Sequence, residues 1–267
     1  MISDFEFKSV YGIEDLLNIM KLLRSEDGCP WDREQTHSSI KSSLIEETYE
    51  VIEAINKNDS ELLCEELGDV LLQVVFHSQM AKEDGVFGFE NVVDGVCKKL
   101  VERHPHVFGE VKADTSEQVL RNWEDIKNKS KNRVTATESM LSVPRELPAL
   151  MRGQKIQKKA KKVGFDWDSV DGALEKLEEE TTELKKAIEK KNHDECFEEL
   201  GDLLFSAVNV SRFIDCDAEE ALTAANDKFL SRFSKVEQLA NERGIDMKNS
   251  SLEELDRLWD EVKQGSF

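Results

Sequence analysis

An internal repeat, with two copies 133 residues apart, constrains the fold of this chain more than any other feature. The segment EETYE at 46–50 recurs as EETTE at 179–183, and 179 − 46 = 133. The segment EELGD at 65–69 recurs unchanged at 198–202, and 198 − 65 gives the same offset. Stacked solenoid repeats have periods of roughly 20 to 50 residues. Each copy is therefore expected to fold as a small domain of its own.

The boundary between the copies is marked by a lapse in the apolar pattern. The stretch KNKSKNR at 127–133 contains only polar residues, and it precedes the second copy. Such composition is typical of a connection between domains. The sequence predicts a first domain at 10–127, a flexible linker at 128–144 and a second domain at 145–265.

Within each copy, apolar residues recur at spacings of three and four, which is the helical period, and no alternating strand pattern is present. The predicted helices cover 13–25, 37–56, 60–82, 89–103 and 116–128 in the first domain, and 147–161, 171–191, 194–212, 217–243 and 251–263 in the second. Short connections join the two acidic helices of each copy, which predicts antiparallel packing. The predicted fold class is all-α, with two tandem homologous antiparallel helical bundles.

The chain is strongly acidic, and its charge limits the partners that it can have. With 36 Lys and Arg against 56 Asp and Glu, the formal net charge is −20, which repels nucleic acid, anionic membranes and free phosphates. We therefore expect no nucleic-acid partner, and a phosphorylated ligand needs local cations or a metal ion. The longest uncharged apolar stretch, 70–81, is too short to span a bilayer. We therefore expect no membrane partner. The five cysteines are scattered and form no CxxC pair, which favours reduced thiols and hence a cytoplasmic protein.

The repeated acids are candidate metal ligands. Two of them stand three residues apart on each acidic helix, as Glu66 and Asp69 do, so each pair shares one helix face. Antiparallel packing can bring two such pairs together, and four carboxylates repel one another unless a hard divalent cation neutralises them. Oxygen ligands favour Mg²⁺ or Mn²⁺. The alternative for any one acidic run, a solvated helix face, is less favoured here because both copies keep the acids.

Together with its other motifs, the sequence resembles the MazG family of nucleoside triphosphate pyrophosphohydrolases over nearly the whole chain. Both copies carry the EExxE and ExxD segments. The further motifs are GCPWD at 28–32, QTH at 35–37, HPHVFG at 104–109, QKIQ at 154–157, VGFDW at 163–167, NDKF at 226–229 and RF at 232–233. The resemblance implies an all-α homodimer that uses Mg²⁺ to hydrolyse NTPs and dNTPs to the monophosphate and pyrophosphate, with broad base specificity.

Carried over by position, the resemblance implies eight metal ligands, four in each copy. They are Glu180, Glu183, Glu199 and Asp202 in the second domain, and Glu47, Glu50, Glu66 and Asp69 in the first. In the in-line attack of water on the α-phosphorus, one carboxylate orients or deprotonates the water. Glu179 and Glu183 are the two candidates for that catalytic role.

The resemblance also implies nucleotide contacts at Lys228, Arg232 and Trp259. The two cations lie four residues apart, on one helix face, and suit phosphate oxygens, while the indole can stack on any base or instead anchor the last helix in the core. Lys158 is a further candidate. It lies among five lysines at 155–162, which can alternatively form a solvated face or contact RNA.

Two other functions stay open on the sequence. One is a base-selective enzyme of the dUTPase or dCTPase kind. The other is a catalytically silent helical module that regulates a partner protein. A silent module is expected to lose a ligand in at least one copy, and all eight acids are present.

Overall fold

The structure is a computed structural model, and it describes residues 5–130 and 135–265 of the 267. Thirteen helices and no strand occur in these residues, which confirms the all-α prediction. The helices are α1 (Ile13–Leu23), α2 (Pro30–Glu34), α3 (Lys41–Lys57), α4 (Ser60–Glu83), α5 (Phe89–Arg103), α6 (Pro105–Phe108), α7 (Ser116–Ser130), α8 (Ala136–Leu141), α9 (Ala149–Lys161), α10 (Val170–Lys190), α11 (His193–Phe213), α12 (Ala218–Glu242) and α13 (Leu252–Lys263).

The chain forms two compact units, Met1–Lys127 and Asn128–Phe267. In the first unit, α3 packs on α4, and α4 also contacts α1 and α5. In the second unit, α10 packs on α11, α9 lies against α11 and α12, and α13 packs on α12. The central element of each unit is thus a helical hairpin, α3–α4 or α10–α11.

The two hairpins turn in the same way at equivalent positions. Asn58 ends α3 and Lys191 ends α10, both in the left-handed conformation, with φ of 53° and 55°, and 191 − 58 is again 133. The residue after each turn caps the next helix. Asp59 accepts hydrogen bonds from two backbone amides of α4, and Asn192 accepts one from Glu195. Capping side chains satisfy otherwise unpaired amides of the first turn, so the local sequence fixes where both second helices begin.

Several boundaries differ from those predicted. The predicted helix 37–56 begins at Lys41, because Thr36 and Ser39 exchange side-chain to backbone hydrogen bonds in a turn that competes with the helix. The short helices α2 and α6 were not predicted. Each has five residues or fewer, which is too short for an apolar period to be visible.

The segment predicted as a linker, 128–144, differs most from the expectation. Helix α7 continues to Ser130, and α8 lies inside the segment, with residues 131–134 outside the described part. A capping box starts α8, in which Thr135 Oγ1 accepts from the Glu138 amide while the Glu138 carboxylate accepts from the Thr135 amide. Helix α8 packs on α9, and Val143 just after it is only 4% exposed. Residues 135–143 therefore belong to the second unit.

Each unit has a small apolar core, and its hairpin leaves an apolar face open. One core cluster consists of Met20, Ile40, Val75, Phe76 and Met80, and the other of Val236, Leu239, Ala240, Leu258 and Val262. On α11, Leu200 and Leu204 remain 47% and 50% exposed, and on α4 Leu67 remains 51% exposed. No helix among the described residues combines the length and apolar character needed to cross a bilayer.

Candidate metal centre

The second hairpin brings three predicted ligands together. Glu180 lies on α10, and Glu199 and Asp202 lie one turn apart on α11. Each of the three offers an oxygen atom, and these oxygens all lie within 4.8 Å of one another. Glu180 is only 4% exposed, while Asp202 is open to solvent. The cluster therefore has a buried base and an open side.

The first hairpin builds the same arrangement. Carboxylate oxygens of Glu47, Glu66 and Asp69 lie within 4.8 Å of one another, with all three residues half-buried. We call these three acids the first cluster, and Glu180, Glu199 and Asp202 the second cluster. The repeat in the sequence is thus a repeat of a carboxylate centre.

Mutual repulsion in the second cluster acts most clearly on Glu199. Burial raises the pKa of its carboxyl group, and the charges of Glu183, Glu180 and Asp202 raise that pKa further. The strongest of these charge effects comes from Glu183, which lies one turn beyond Glu180 on α10. Glu183 is therefore an electrostatic neighbour of the cluster, although its oxygens fall outside the group of three within 4.8 Å.

The first cluster shows the same repulsion. Burial raises the pKa of Glu47 and of Glu66, and the surrounding carboxylates add to both shifts. Glu50 contributes to both of these raised pKa values, so the fourth predicted ligand adjoins the cluster. In both units three predicted ligands converge and the fourth adjoins them.

The donor set fits a hard divalent cation. Around an octahedral Mg²⁺ the oxygens lie about 2.1 Å from the ion, so that two of them are at most about 4.2 Å apart. The oxygens of each cluster, within 4.8 Å of one another, need only small side-chain rotations to meet that limit. Carboxylate oxygens are also the ligands that such ions prefer.

The second cluster carries one cation of its own, Lys176, which sequence reasoning missed. The Lys176 Nζ atom lies 2.7 Å from a carboxylate oxygen of Glu180 and 3.0 Å from one of Glu179. These contacts raise the pKa of Lys176, first through the hydrogen bond to Glu180 and then through that to Glu179. Both contacts could have been predicted from the sequence, because Lys176 precedes Glu179 by three residues and Glu180 by four on one helix.

The two candidate catalytic acids both lie on α10, the helix that carries Glu180. Glu179 has a side chain that is 56% exposed, and its carboxylate is paired with Lys176. Together with Glu183, Glu179 lines a shallow depression of about 410 Å³ along α10. A larger groove of about 910 Å³ lies in the first unit between α1, α4 and α5, and none of the first-cluster acids lines it.

The predicted nucleotide contacts lie on other helices. Lys228 and Arg232 lie on α12. Trp259 lies on α13, and the centre of its ring is 5.2 Å from the centre of the Phe229 ring. Trp259 is half-buried against the α12–α13 core, which agrees with the core-anchor alternative. In the described part of the chain, no recorded contact joins Lys228 or Arg232 to the second cluster.

Lys158 also lies away from the cluster. It is exposed on α9, and no ion pair of its side chain is recorded in the described residues. The residues of α9 that face α11 are instead Gln154 and Gln157, both buried. Gln157 donates to the Phe205 carbonyl oxygen at 2.8 Å, and Gln154 donates to that of Cys216 at 2.8 Å. Two amide side chains thus fix α9 against α11 and against the turn that follows α11.

A buried ion pair fixes the segment that leads into α10. Arg212 of α11 donates from both terminal nitrogens to the two carboxylate oxygens of Asp166, and it also donates to Asn209. The side chains of Arg212 and Asp166 are 5% and 12% exposed. Because these residues are 46 positions apart, no local pattern in the sequence predicted the pair.

The glycines inside the hairpins do not mark close packing within one chain. Gly68 and Gly201, each next to a cluster aspartate, are exposed, and a Cβ atom added at either would meet nothing within 4 Å. Neither glycine therefore marks a close approach of two helices within its unit. Both glycines lie on the open apolar faces of α4 and α11.

The fold and the two clusters define an all-α protein with a pair of acidic centres, each built on a helical hairpin. Comparison of the sequence with protein-family profiles gives a match to the MazG nucleotide pyrophosphohydrolase domain, at residues 35–108 and again at 169–237. These segments contain the two hairpins. The chain belongs to the MazG family, and it carries the family's domain twice.

Similar proteins extend over nearly the whole chain. A Thermotoga maritima protein named nucleoside triphosphate pyrophosphohydrolase/pyrophosphatase MazG is 47% identical over 252 residues, 94% of this chain and 96% of that protein. An Escherichia coli protein named nucleoside triphosphate pyrophosphohydrolase is 44% identical over 255 residues, 94% of this chain and 97% of that protein. YabN of Bacillus subtilis is 48% identical over 249 residues, 92% of this chain but 50% of that protein.

Proposed function

We propose that this chain is a nucleoside triphosphate pyrophosphohydrolase, which cleaves NTPs and dNTPs between the α- and β-phosphates and depends on Mg²⁺, with Mn²⁺ as a substitute. The observation that carries the proposal is the convergence of three carboxylates in each family domain. The names of relatives that match over more than nine-tenths of the chain support the reaction. They favour it over a silent regulatory module.

The charge of the chain explains why a metal ion is needed. A net charge of −20 repels a free triphosphate. A divalent ion supplies positive charge for the phosphate oxygens and lowers the pKa of bound water. Glu180, Glu199 and Asp202 are the residues that would hold it, with Glu183 adjoining them, and the first cluster is the equivalent set in the first unit.

The remaining acids act on the attacking water. Glu183 adds its charge to that of the second cluster, and Glu179 directly precedes Glu180 on α10, so both carboxylates are candidates to act on a water molecule at the proposed metal site. Either carboxylate can orient that water and accept its proton. Glu179 is already paired with Lys176, whereas no ion pair of Glu183 is recorded in the described residues. We therefore assign the proton-accepting role to Glu183.

We further propose that the protein is a homodimer and that a second copy completes the site. The open face of the second hairpin includes Phe197, Leu200, Leu204 and Phe205, which are 77%, 47%, 50% and 45% exposed. Apolar surface of this extent next to a functional cluster is typical of an interface. Gly201, exposed in the same face, allows a partner helix to approach closely. In a dimer, Lys228 and Arg232 of one copy could reach the second cluster of the other, a contact that the described residues of one chain do not make.

The catalytic proposal is tested by measuring pyrophosphate release from each NTP and dNTP, with and without Mg²⁺. We expect release from several bases, and a single preferred base would instead favour the dUTPase or dCTPase alternative. Glu199→Gln should abolish release. Glu189→Gln, which removes one charge from the exposed end of α10, is the matched control and should retain it. Equal activity of the two variants would contradict the proposed metal centre.

The dimer is tested separately by sedimentation equilibrium. Leu204→Asp places a charge in the open face and should yield monomers with little activity. Leu141→Asp changes a leucine that is 78% exposed on α8, and it should remain dimeric. A wild-type monomer with full turnover would overturn the proposal that a second copy completes the site.

A further inference from the structure

The two clusters differ in one ion pair that directly involves a predicted ligand. In the second unit, Lys176 contacts Glu180 at 2.7 Å, and the side chain of Glu180 is 5% exposed. The Lys176 side chain is 35% exposed, so the contact is half-buried, and screening weakens it less than a fully exposed pair. The repeat offset places Ser43 at the equivalent position of the first unit, since 176 − 133 = 43.

Nothing replaces this cation in the first unit. Among the described residues, no lysine or arginine forms an ion pair with any acid of the first cluster or with Glu50. The carboxylates themselves are equivalent in number and spacing. A free divalent ion would therefore meet three uncompensated acids in the first cluster and three partly compensated acids in the second.

We propose that Lys176 is a built-in counter-cation that makes the affinity of the second cluster for a free divalent cation lower than that of the first cluster. The inference rests on the proposed function, in which both clusters hold such an ion. Lys176 shares Glu180 with the ion, so the ammonium group lies roughly 5 to 7 Å from it. A unit charge and a divalent ion about 6 Å apart repel enough, even in a site with the dielectric of water, to weaken binding about tenfold.

The same contact gives the second cluster a functional property that the first lacks. Lys176 holds the Glu180 carboxylate in position when no metal is bound, and its charge offsets part of the repulsion among the acids. Triphosphate oxygens add negative charge to the site, which favours entry of the ion together with the nucleotide. The first cluster, without a lysine, fills at lower concentrations of free ion.

The experiment measures binding of Mn²⁺ alone, from the paramagnetic resonance signal of free Mn²⁺, without any turnover. In the full chain carrying Glu66→Gln and Asp69→Asn, only the second cluster is titrated, and adding Lys176→Gln should tighten binding about tenfold. In the full chain carrying Glu199→Gln and Asp202→Asn, adding Ser43→Lys should weaken binding at the first cluster by a similar factor.

A matched control removes the same charge elsewhere. Lys98 forms an exposed pair with Asp94 at 2.6 Å, with the four-residue spacing of Lys176 and Glu180. Lys98→Gln should change the Mn²⁺ dissociation constant less than twofold. Circular dichroism melting of every variant verifies that the helices are intact.

The outcomes separate this inference from the proposed function. If Lys176→Gln leaves Mn²⁺ affinity unchanged or weakens it, while both clusters bind Mn²⁺, the counter-cation role is overturned and the proposed function stands. If the wild-type chain binds no Mn²⁺, both are overturned. Tightening by Lys176→Gln together with weakening by Ser43→Lys supports the inference.

Discussion

The ion pair of Arg212 and Asp166 positions the segment before α10, and we predict that Asp166→Asn lowers the free energy of unfolding of the second unit by about 3 kcal/mol. The side chains are 5% and 12% exposed, and Arg212 donates to both oxygens of Asp166. Removing one partner of a buried pair costs roughly 3 to 5 kcal/mol, because the other charge stays buried. We expect a cost at the lower end of this range, because Asn209 still accepts a hydrogen bond from Arg212 and the oxygen of the new amide can accept another.

The assay is thermal melting followed by tryptophan fluorescence, with Trp167 adjoining the altered residue. For a unit of this size the predicted loss corresponds to a fall in melting temperature of about 10 °C. Asp94→Asn breaks an exposed pair with Lys98 and should cost less than about 0.5 kcal/mol. If Asp166→Asn costs no more than this control, the pair is solvated and the reasoning is refuted.

The effect should also depend on pH in a defined direction. The hydrogen bond from Arg212 lowers the pKa of Asp166, with burial acting against it. A carboxyl group with a lowered folded-state pKa stabilises the protein above its ordinary pKa of about 3.9, and that contribution is lost as pH falls through the folded-state value. The difference between wild type and Asp166→Asn should therefore be full at pH 7 and should close at pH values below about 4.

Three further predictions concern the clusters. Asp202→Asn should remove most of the rise in melting temperature that Mg²⁺ produces, as differential melting with and without the ion would reveal. Because the pKa values of Glu47, Glu66 and Glu199 are raised, the metal-free protein should become more stable as pH falls from 7 towards 5, and saturating Mg²⁺ should remove this trend. Residues 135–267 expressed alone should fold and retain more pyrophosphate release than residues 1–127, and the reverse ranking would contradict the assignment of catalysis to the second unit.

The hairpins could be predicted from the sequence because every signal for them is local. Helical spacing, the repeated acids and the short connections all lie within about 25 residues, and in the structure three of the four acids in each copy converge. Helix α8 was missed although its capping box, Thr135 with Glu138, was readable. It has only six residues, so no apolar period revealed it.

Contacts between distant positions could not be predicted in the same way. Two ion pairs depend on how whole helices pack. One joins Arg212 to Asp166, and the other joins Arg24 to Glu83, which lies 59 residues later. Nor does the spacing of Lys228 and Arg232 reveal which surface they face. Their four-residue spacing predicts that they share one face of α12. It does not predict which other element, if any, packs against that face.

The hairpin geometry has a consequence for what the second cluster can bind. Two antiparallel helices approach a common point from one side, and their three carboxylates can fill at most about half of an octahedral shell. In the proposed function, a Mg²⁺ ion held there would keep its other positions for water and phosphate oxygens, as an ion that holds a triphosphate and a nucleophile together requires. Asp202 is the solvent-exposed member of the cluster. Glu180 is buried and contacts Lys176. In the proposed function the hairpin would anchor the metal ion, and the substrate would be enclosed by residues beyond it, either from α12 and α13 or from a second copy of the chain.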